Sequence, residues 1–221
     1  MTLFAEHIRT GGKRSITTFG DSVTAGASVA EPDRWANRFA ASLDLNLRNK
    51  GISGTVLQGS PDADGRPRGN NGFSRFRNDL LGADRSDLVA ILYGTNDARH
   101  TGAPESLNHA GFTRDYRIIL SELIVHGFAP RDICIGSPVH IPDAGFSAGE
   151  PEFTGQSRDA FEAYVATIRS LAREFGTFYA AVNERMQAHG GDTLVLSDNV
   201  HPNPAGHGVI AEAFAAATIP D

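Results

Sequence analysis

The stretch Asp87-Leu88-Val89-Ala90-Ile91-Leu92-Tyr93 constrains the fold more than any other. It is apolar without alternation, too short for an ordinary helix, and it stops at Gly94. A strand of that composition must be covered on both faces, as happens inside a parallel sheet flanked by helices. The rest of the chain supplies that setting. Residues 14–19 are rich in β-branched and aromatic side chains and break at Gly20, so they read as a strand. Residues 45–50 alternate and stop at Gly51, and residues 132–136 and 177–182 read as two more strands. Helical spacing falls between them. Pro32 opens a helix predicted from 31 to about 45, with Trp35, Phe39 and Leu43 on one side. Further helices are predicted over 73–81, 112–126, 161–175, 183–188 and 204–217. Strands alternating with helices along the whole length predict an α/β fold. Its form is a three-layer α/β/α sandwich around a parallel sheet of about five strands. No repeat or linker divides the chain, and 221 residues suit one domain, 1–221.

Composition narrows the function by exclusion. The net charge is −6 and no long basic run exists, which argues against nucleic acid as a partner. No segment reaches the ~20 apolar residues of a membrane span, and the first residues lack the apolar core of a signal peptide. A cytoplasmic protein is the expectation. Cys134 is the only cysteine, so an internal disulfide is excluded, and its apolar strand makes it a small core residue.

Polar residues collect where the strands end. Ser22 follows the first strand, Gly51 the second, and Gly94-Thr95-Asn96-Asp97 the third. Asp198-Asn199-Val200-His201-Pro202 lies in a loop before the last helix. Loops at the carboxyl edge of a parallel sheet converge on one crevice. The residue types match one chemistry. Acyl transfer from an ester needs a nucleophile, a base, a group to orient the base, and donors for the oxyanion. Ser22 has the hydroxyl, His201 the imidazole, and Asp198 a carboxylate in the same loop. The backbone N–H groups of Ser22 and Gly51 and the Asn96 amide are candidate donors. No metal or organic cofactor is needed. Each residue also has a plainer reading: Ser22 as a helix cap, His201 as a loop residue before the last helix, Asp198 and Asn96 as turn residues. Asn49, Asp21 and Asp97 read as turn support, His207 as a packed or surface residue, and His140 as a residue that could line the site.

The four blocks together resemble the SGNH hydrolases, the GDSL family of esterases and lipases. Gly20-Asp21-Ser22 resembles its nucleophile block, and Asn49 with Gly51 and Gly54 the block that gives a glycine to the oxyanion hole. Gly94-Thr95-Asn96-Asp97 resembles the asparagine block, and Asp198-Asn199-Val200-His201-Pro202 the block of acid and base. The resemblance spans residues 20–202 in order. It implies a flavodoxin-like sheet and a serine esterase acting on a small-molecule ester without a cofactor. The full elbow of α/β-hydrolases is absent, since Thr24 stands where that motif has its second glycine.

Substrate is harder to read. The family implies acetylesterases, arylesterases, lysophospholipases, thioesterases and acyltransferases alike. Residues 59–72 and 137–156 are long loops beside the site. The first is polar, with Arg66 and Arg68, and offers little apolar surface to a long acyl chain. Short acyl groups are the expectation, acetyl on a sugar among them. A metallophosphoesterase would need an early Asp-x-His and paired histidines, which the sequence lacks. A binding module without catalysis is the remaining alternative, against which the full residue set argues.

Overall fold

A computed structural model describes residues 2–66, 69–99, 107–147 and 156–221. Arg68, and residues 148–155 of the second long loop, lie outside that set.

Five strands form one sheet: β1 (Ser15–Gly20), β2 (Asn46–Gly51), β3 (Leu88–Leu92), β4 (Ile133–Gly136) and β5 (Phe178–Ala180). All neighbours are parallel, in the order β2-β1-β3-β4-β5. This is the doubly wound order, whose switch point lies between β1 and β3. β3 is the central strand and is buried at every position. Its side chains alternate between two cores. Leu88, Ala90 and Leu92 join one; Val89 and Ile91 join the other.

The helices cover the two faces accordingly. α1 (Phe4–Thr10), α3 (Trp35–Ser42), α7 (Val182–Ala188) and α8 (Pro204–Ala215) pack on the first core. α4 (Gly72–Leu80), α5 (His109–Val125) and α6 (Arg158–Phe175) pack on the second. Trp35 is fully buried and stacks on Phe214 at 4.5 Å between ring centres. Cys134 is buried in β4, and burial pushes its thiol up. Among the described residues, no helix is long and apolar enough to cross a membrane.

Three elements differ from expectation. Residues 31–45 do not form one helix. A 3₁₀ turn at Glu31–Asp33 is separated from α3 by extended Arg34. Arg34 offers no capping side chain; instead the Nδ1 of His207, in the first turn of α8, accepts the Trp35 N–H at 3.1 Å. An acceptor from a distant helix replaces the missing local cap. α1 was not expected, although Phe4, Ala5 and Ile8 give it a buried stripe. Ser22–Ala25 forms a single helical turn, α2, where only a small-residue turn was expected.

His207 makes the fold acid-sensitive. Burial, with help from the Arg38 charge, lowers its pKa from 6.5 to about 4. The folded state therefore holds it neutral while the unfolded chain takes a proton below 6.5. Its contribution is intact above that pH and is lost on the way down to 4. The stability advantage of the native chain over His207→Gln should shrink by about 3 kcal/mol between pH 7 and pH 4. Denaturant melts of both proteins at each pH check this; a difference independent of pH refutes it.

Candidate active site

The site lies at the carboxyl edge, beside the switch point. Asp21 ends the first strand–helix turn and caps α2, its Oδ1 accepting the Val23 N–H at 2.9 Å. The cap uses the Val23 N–H. The Ser22 N–H, first in the helix, keeps no partner among the described residues. Ser22 is 8% exposed.

The loop before α8 brings two further residues to Ser22. Its Oγ lies 2.9 Å from His201 Nε2, across a sequence separation of 179. His201 Nδ1 lies 2.7 Å from Asp198 Oδ2. The other oxygen of Asp198 accepts the N–H groups of Val200 and His201, each at 2.9 Å. Burial raises the Asp198 carboxyl, but the His201 and Val200 N–H bonds and the imidazole outweigh it and hold it below the usual range. A charged carboxylate on Nδ1 fixes the proton there, so Nε2 faces the Ser22 hydroxyl as an acceptor.

The donors are arranged differently from expectation in one respect. Gly51 does not offer its N–H to the crevice. Asn49 Oδ1 accepts it at 2.9 Å, while Asn49 Nδ2 donates to the Thr24 carbonyl at 2.7 Å. Asn49 thus ties β2 to α2 and consumes the Gly51 donor. The next turn carries Gly54, at φ +75°, whose N–H has no partner among the described residues. Asn96 is 9% exposed and donates one amide N–H to the Thr55 carbonyl at 2.9 Å. That bond ties the Asn96 amide to the residue next to Gly54 and leaves its second N–H for a ligand.

Carboxylates behind the donors hold the wall. Asp97 accepts the Leu57 and Gln58 N–H groups, each at 2.9 Å. Asp115, from α5, accepts those of Gly59 and Ser60 at 3.0 and 2.7 Å. Asp21 is fully enclosed; burial pushes it up to about 7, against the Val23 bond and with a further push from Asp97. Arg99 is buried, which lowers its pKa, while Asp198 and Asp21 oppose that change. Sequence reasoning missed Asp115 and Arg99. Nothing in a helix or a polar loop pattern distinguishes them from exposed charges.

The other two histidines considered from the sequence make no hydrogen bond to Ser22, His201 or Asp198 among the described residues. His207 is packed between α3 and α8. His140 pairs with Asp192 at 2.7 Å, beside a cavity of about 460 Å³ lined by Pro142, Arg158, Asp192, Ser197 and Asn199 among others.

Known proteins carry the same architecture. An acetylxylan esterase from Geobacillus stearothermophilus is 25% identical over 178 residues, 78% of this chain and 71% of that protein. A lipase/acylhydrolase structure from Enterococcus faecalis superposes with a TM-score of 0.69 at 17% identity, covering 94% of this chain and 99% of that one. An acetylxylan esterase structure from Geobacillus stearothermophilus gives a TM-score of 0.66 at 20% identity, over 91% and 92% of the two chains. At these identities the structures speak for the fold. The GDSL-like lipase/acylhydrolase family model matches residues 18–209, from the first strand into the last helix. The chain belongs to that family and is a carboxylic ester hydrolase.

Proposed function

We propose that the chain is a serine esterase that forms an acyl-enzyme on Ser22 and prefers short acyl groups, acetyl on a carbohydrate among them. One observation carries the reading: the unbroken relay from Ser22 Oγ to His201 Nε2 at 2.9 Å and from His201 Nδ1 to Asp198 at 2.7 Å. In this mechanism Ser22 Oγ attacks the ester carbonyl carbon as His201 Nε2 takes its proton. Asp198 holds the imidazolium that results. The carbonyl oxygen becomes an oxyanion and receives hydrogen bonds from the Ser22 N–H, the Gly54 N–H and the free Asn96 N–H. Collapse expels the alcohol, protonated by His201. Water, deprotonated by the same imidazole, then releases the acid and restores Ser22.

The preference for short acyl groups rests on two supports. The described part of the 59–72 loop is polar, and its root is bonded to carboxylates, so it offers no wide apolar trough. A relative matching 78% of the chain is an acetylxylan esterase. A panel of p-nitrophenyl esters from acetyl to palmitoyl, run beside acetylated xylooligosaccharides and lysophospholipid, tests it. The expected result is the highest kcat/KM at acetyl, falling with chain length. A maximum at long chains or on lysophospholipid would overturn the acyl preference.

Ser22→Ala should abolish hydrolysis and fluorophosphonate labelling with little change in melting temperature, since the hydroxyl packs nothing in the core. Retention of more than a few per cent of activity places the nucleophile elsewhere.

Asn96→Ala separates two roles of one amide. Losing the oxyanion donor should lower kcat by about 10²–10³ with a much smaller change in KM. Losing the bond to the Thr55 carbonyl should also cost about 1–3 kcal/mol of stability, because that buried acceptor is left unpaired. Native kcat with lowered stability would leave only the structural role.

A further inference from the structure

Arg75 has no part in the mechanism above and lies at the end of the first turn of an otherwise ordinary amphipathic helix, α4. Its side chain is only 15% exposed. The guanidinium lies 4.2 Å over the Phe19 ring and pairs with Asp79 on its own helix. Its Nε has no partner among the described residues, and the remaining Nη donors go elsewhere. Nη2 donates to the Gly20 carbonyl at 3.0 Å, and Nη1 to the Lys50 carbonyl at 2.9 Å. Gly20 is the last residue of β1, two before Ser22. Lys50 precedes Gly51 at the end of β2. One planar cation thus grips the ends of the two strands that launch the nucleophile turn and the donor turn.

The grip continues toward Asn96 through an ordered chain of hydroxyls. Arg75 Nη2 donates to Tyr93 Oη at 2.6 Å. Tyr93 Oη lies 2.9 Å from Thr55 Oγ1, which donates to the Ile52 carbonyl at 2.8 Å. Since the Thr55 hydroxyl proton is spent on Ile52, the Tyr93 hydroxyl must donate to Thr55. It can do so because Arg75 supplies the bond that Tyr93 accepts. Each proton in the chain has one destination. The Gly20 carbonyl also accepts the Ile52 N–H at 3.0 Å, and the Thr55 carbonyl accepts the Asn96 amide at 2.9 Å. Both ends of the 52–55 turn therefore lead back to Arg75.

We propose that Arg75 is a positioning residue for ester hydrolysis: its guanidinium sets the 52–55 donor turn and the Asn96 amide in register with Ser22. The assignment rests on the serine-esterase reading of the site. It predicts a specific kind of loss. A donor turn displaced relative to Ser22 still binds the ester but misses the oxyanion, so the effect belongs to the transition state. A lysine cannot reproduce the fork, because an ammonium offers no plane of donors across two carbonyls and a phenol.

The test uses Arg75→Lys and Arg75→Met, alone and with Asn96→Ala, on p-nitrophenyl acetate, with melting temperatures for each. Arg75→Met removes every donor; Arg75→Lys keeps the charge, and so secures a folded variant. Arg75→Lys is expected to lower kcat by about 10- to 100-fold with KM changed by less than about threefold. In the Asn96→Ala background the same substitution should cost much less, because the donor it positions is gone. Amide exchange at Ile52 should quicken in Arg75→Lys while β3 amides stay protected. Folded Arg75→Lys with native kcat, or costs that add fully with Asn96→Ala and leave Ile52 exchange unchanged, would overturn the assignment. A native chain inert to every ester and to fluorophosphonate would instead overturn the esterase reading. The Ile52 exchange rate then decides the role of Arg75 by itself.

Discussion

Two backbones touch at Gly51, and the site depends on that contact. A Cβ there would lie 2.1 Å from the Ala25 nitrogen and 2.5 Å from the Thr24 carbonyl carbon. Gly20 is confined in the same way: a Cβ would lie 2.1 Å from Thr24 Oγ1 and 2.4 Å from the Leu92 carbonyl oxygen. Without side chains at these two positions, α2 can seat directly on the edge formed by β1, β2 and β3. That seating puts Ser22 at the switch point of the sheet rather than above it. Asn49 then locks the contact with one bond to each side. The lock uses the Gly51 N–H, so the contact that seats the Ser22 turn also takes up that donor. The N–H left without a partner among the described residues is in the next turn, where Gly54 has open space around it and a left-handed backbone.

The wall that follows is held by anions as well as by the buried Leu57 side chain. Four consecutive N–H groups, from Leu57 to Ser60, end on the carboxylates of Asp97 and Asp115. Asp97 comes from the block after β3 and Asp115 from α5, so the segment is tied to two separate elements. A carboxylate that accepts two N–H bonds tolerates burial, and a loop whose N–H groups are all satisfied tolerates exclusion from water. The first long loop is therefore two things. Its root, up to Ser60, is part of the framework. Beyond it, Asp62 closes a small turn of its own on Asp64 and Arg66.

How far the sequence reveals this depends on how local the cause is. β3 was legible because burial on both faces leaves a continuous apolar run. Ser22, Asn96, Asp198 and His201 were legible because they stand in short blocks at strand ends, where bulk and polarity change abruptly. The Ser22–His201 contact spans 179 residues, yet parallel topology alone brings those loops to one edge. What stayed hidden is non-local and unpatterned. The break at Arg34 is set by His207, a residue of another helix. The loss of the Gly51 donor depends on the Asn49 side chain choosing its own neighbour. Arg75 looks in sequence like any solvent-facing helix charge, and only the fold turns it inward over Phe19.

In the proposed mechanism, the placement of charge explains why so acidic a site would hold a developing anion. Asp21, Asp97 and Asp198 all lie around Ser22, and three free carboxylates would oppose an oxyanion there. None is free. Asp97 spends its charge on two N–H groups. Asp21 is pushed up to about 7, so much of it is neutral near that pH, and Arg99 offsets what remains. Asp198 stays ionised, but it sits on Nδ1, with the imidazole ring between it and Ser22. There, in the proposed mechanism, its charge favours the imidazolium formed in the same step as the oxyanion. The carboxylate that the proposed mechanism uses is next to the base, while Asp97 is held by two N–H donors and burial pushes Asp21 toward its neutral form.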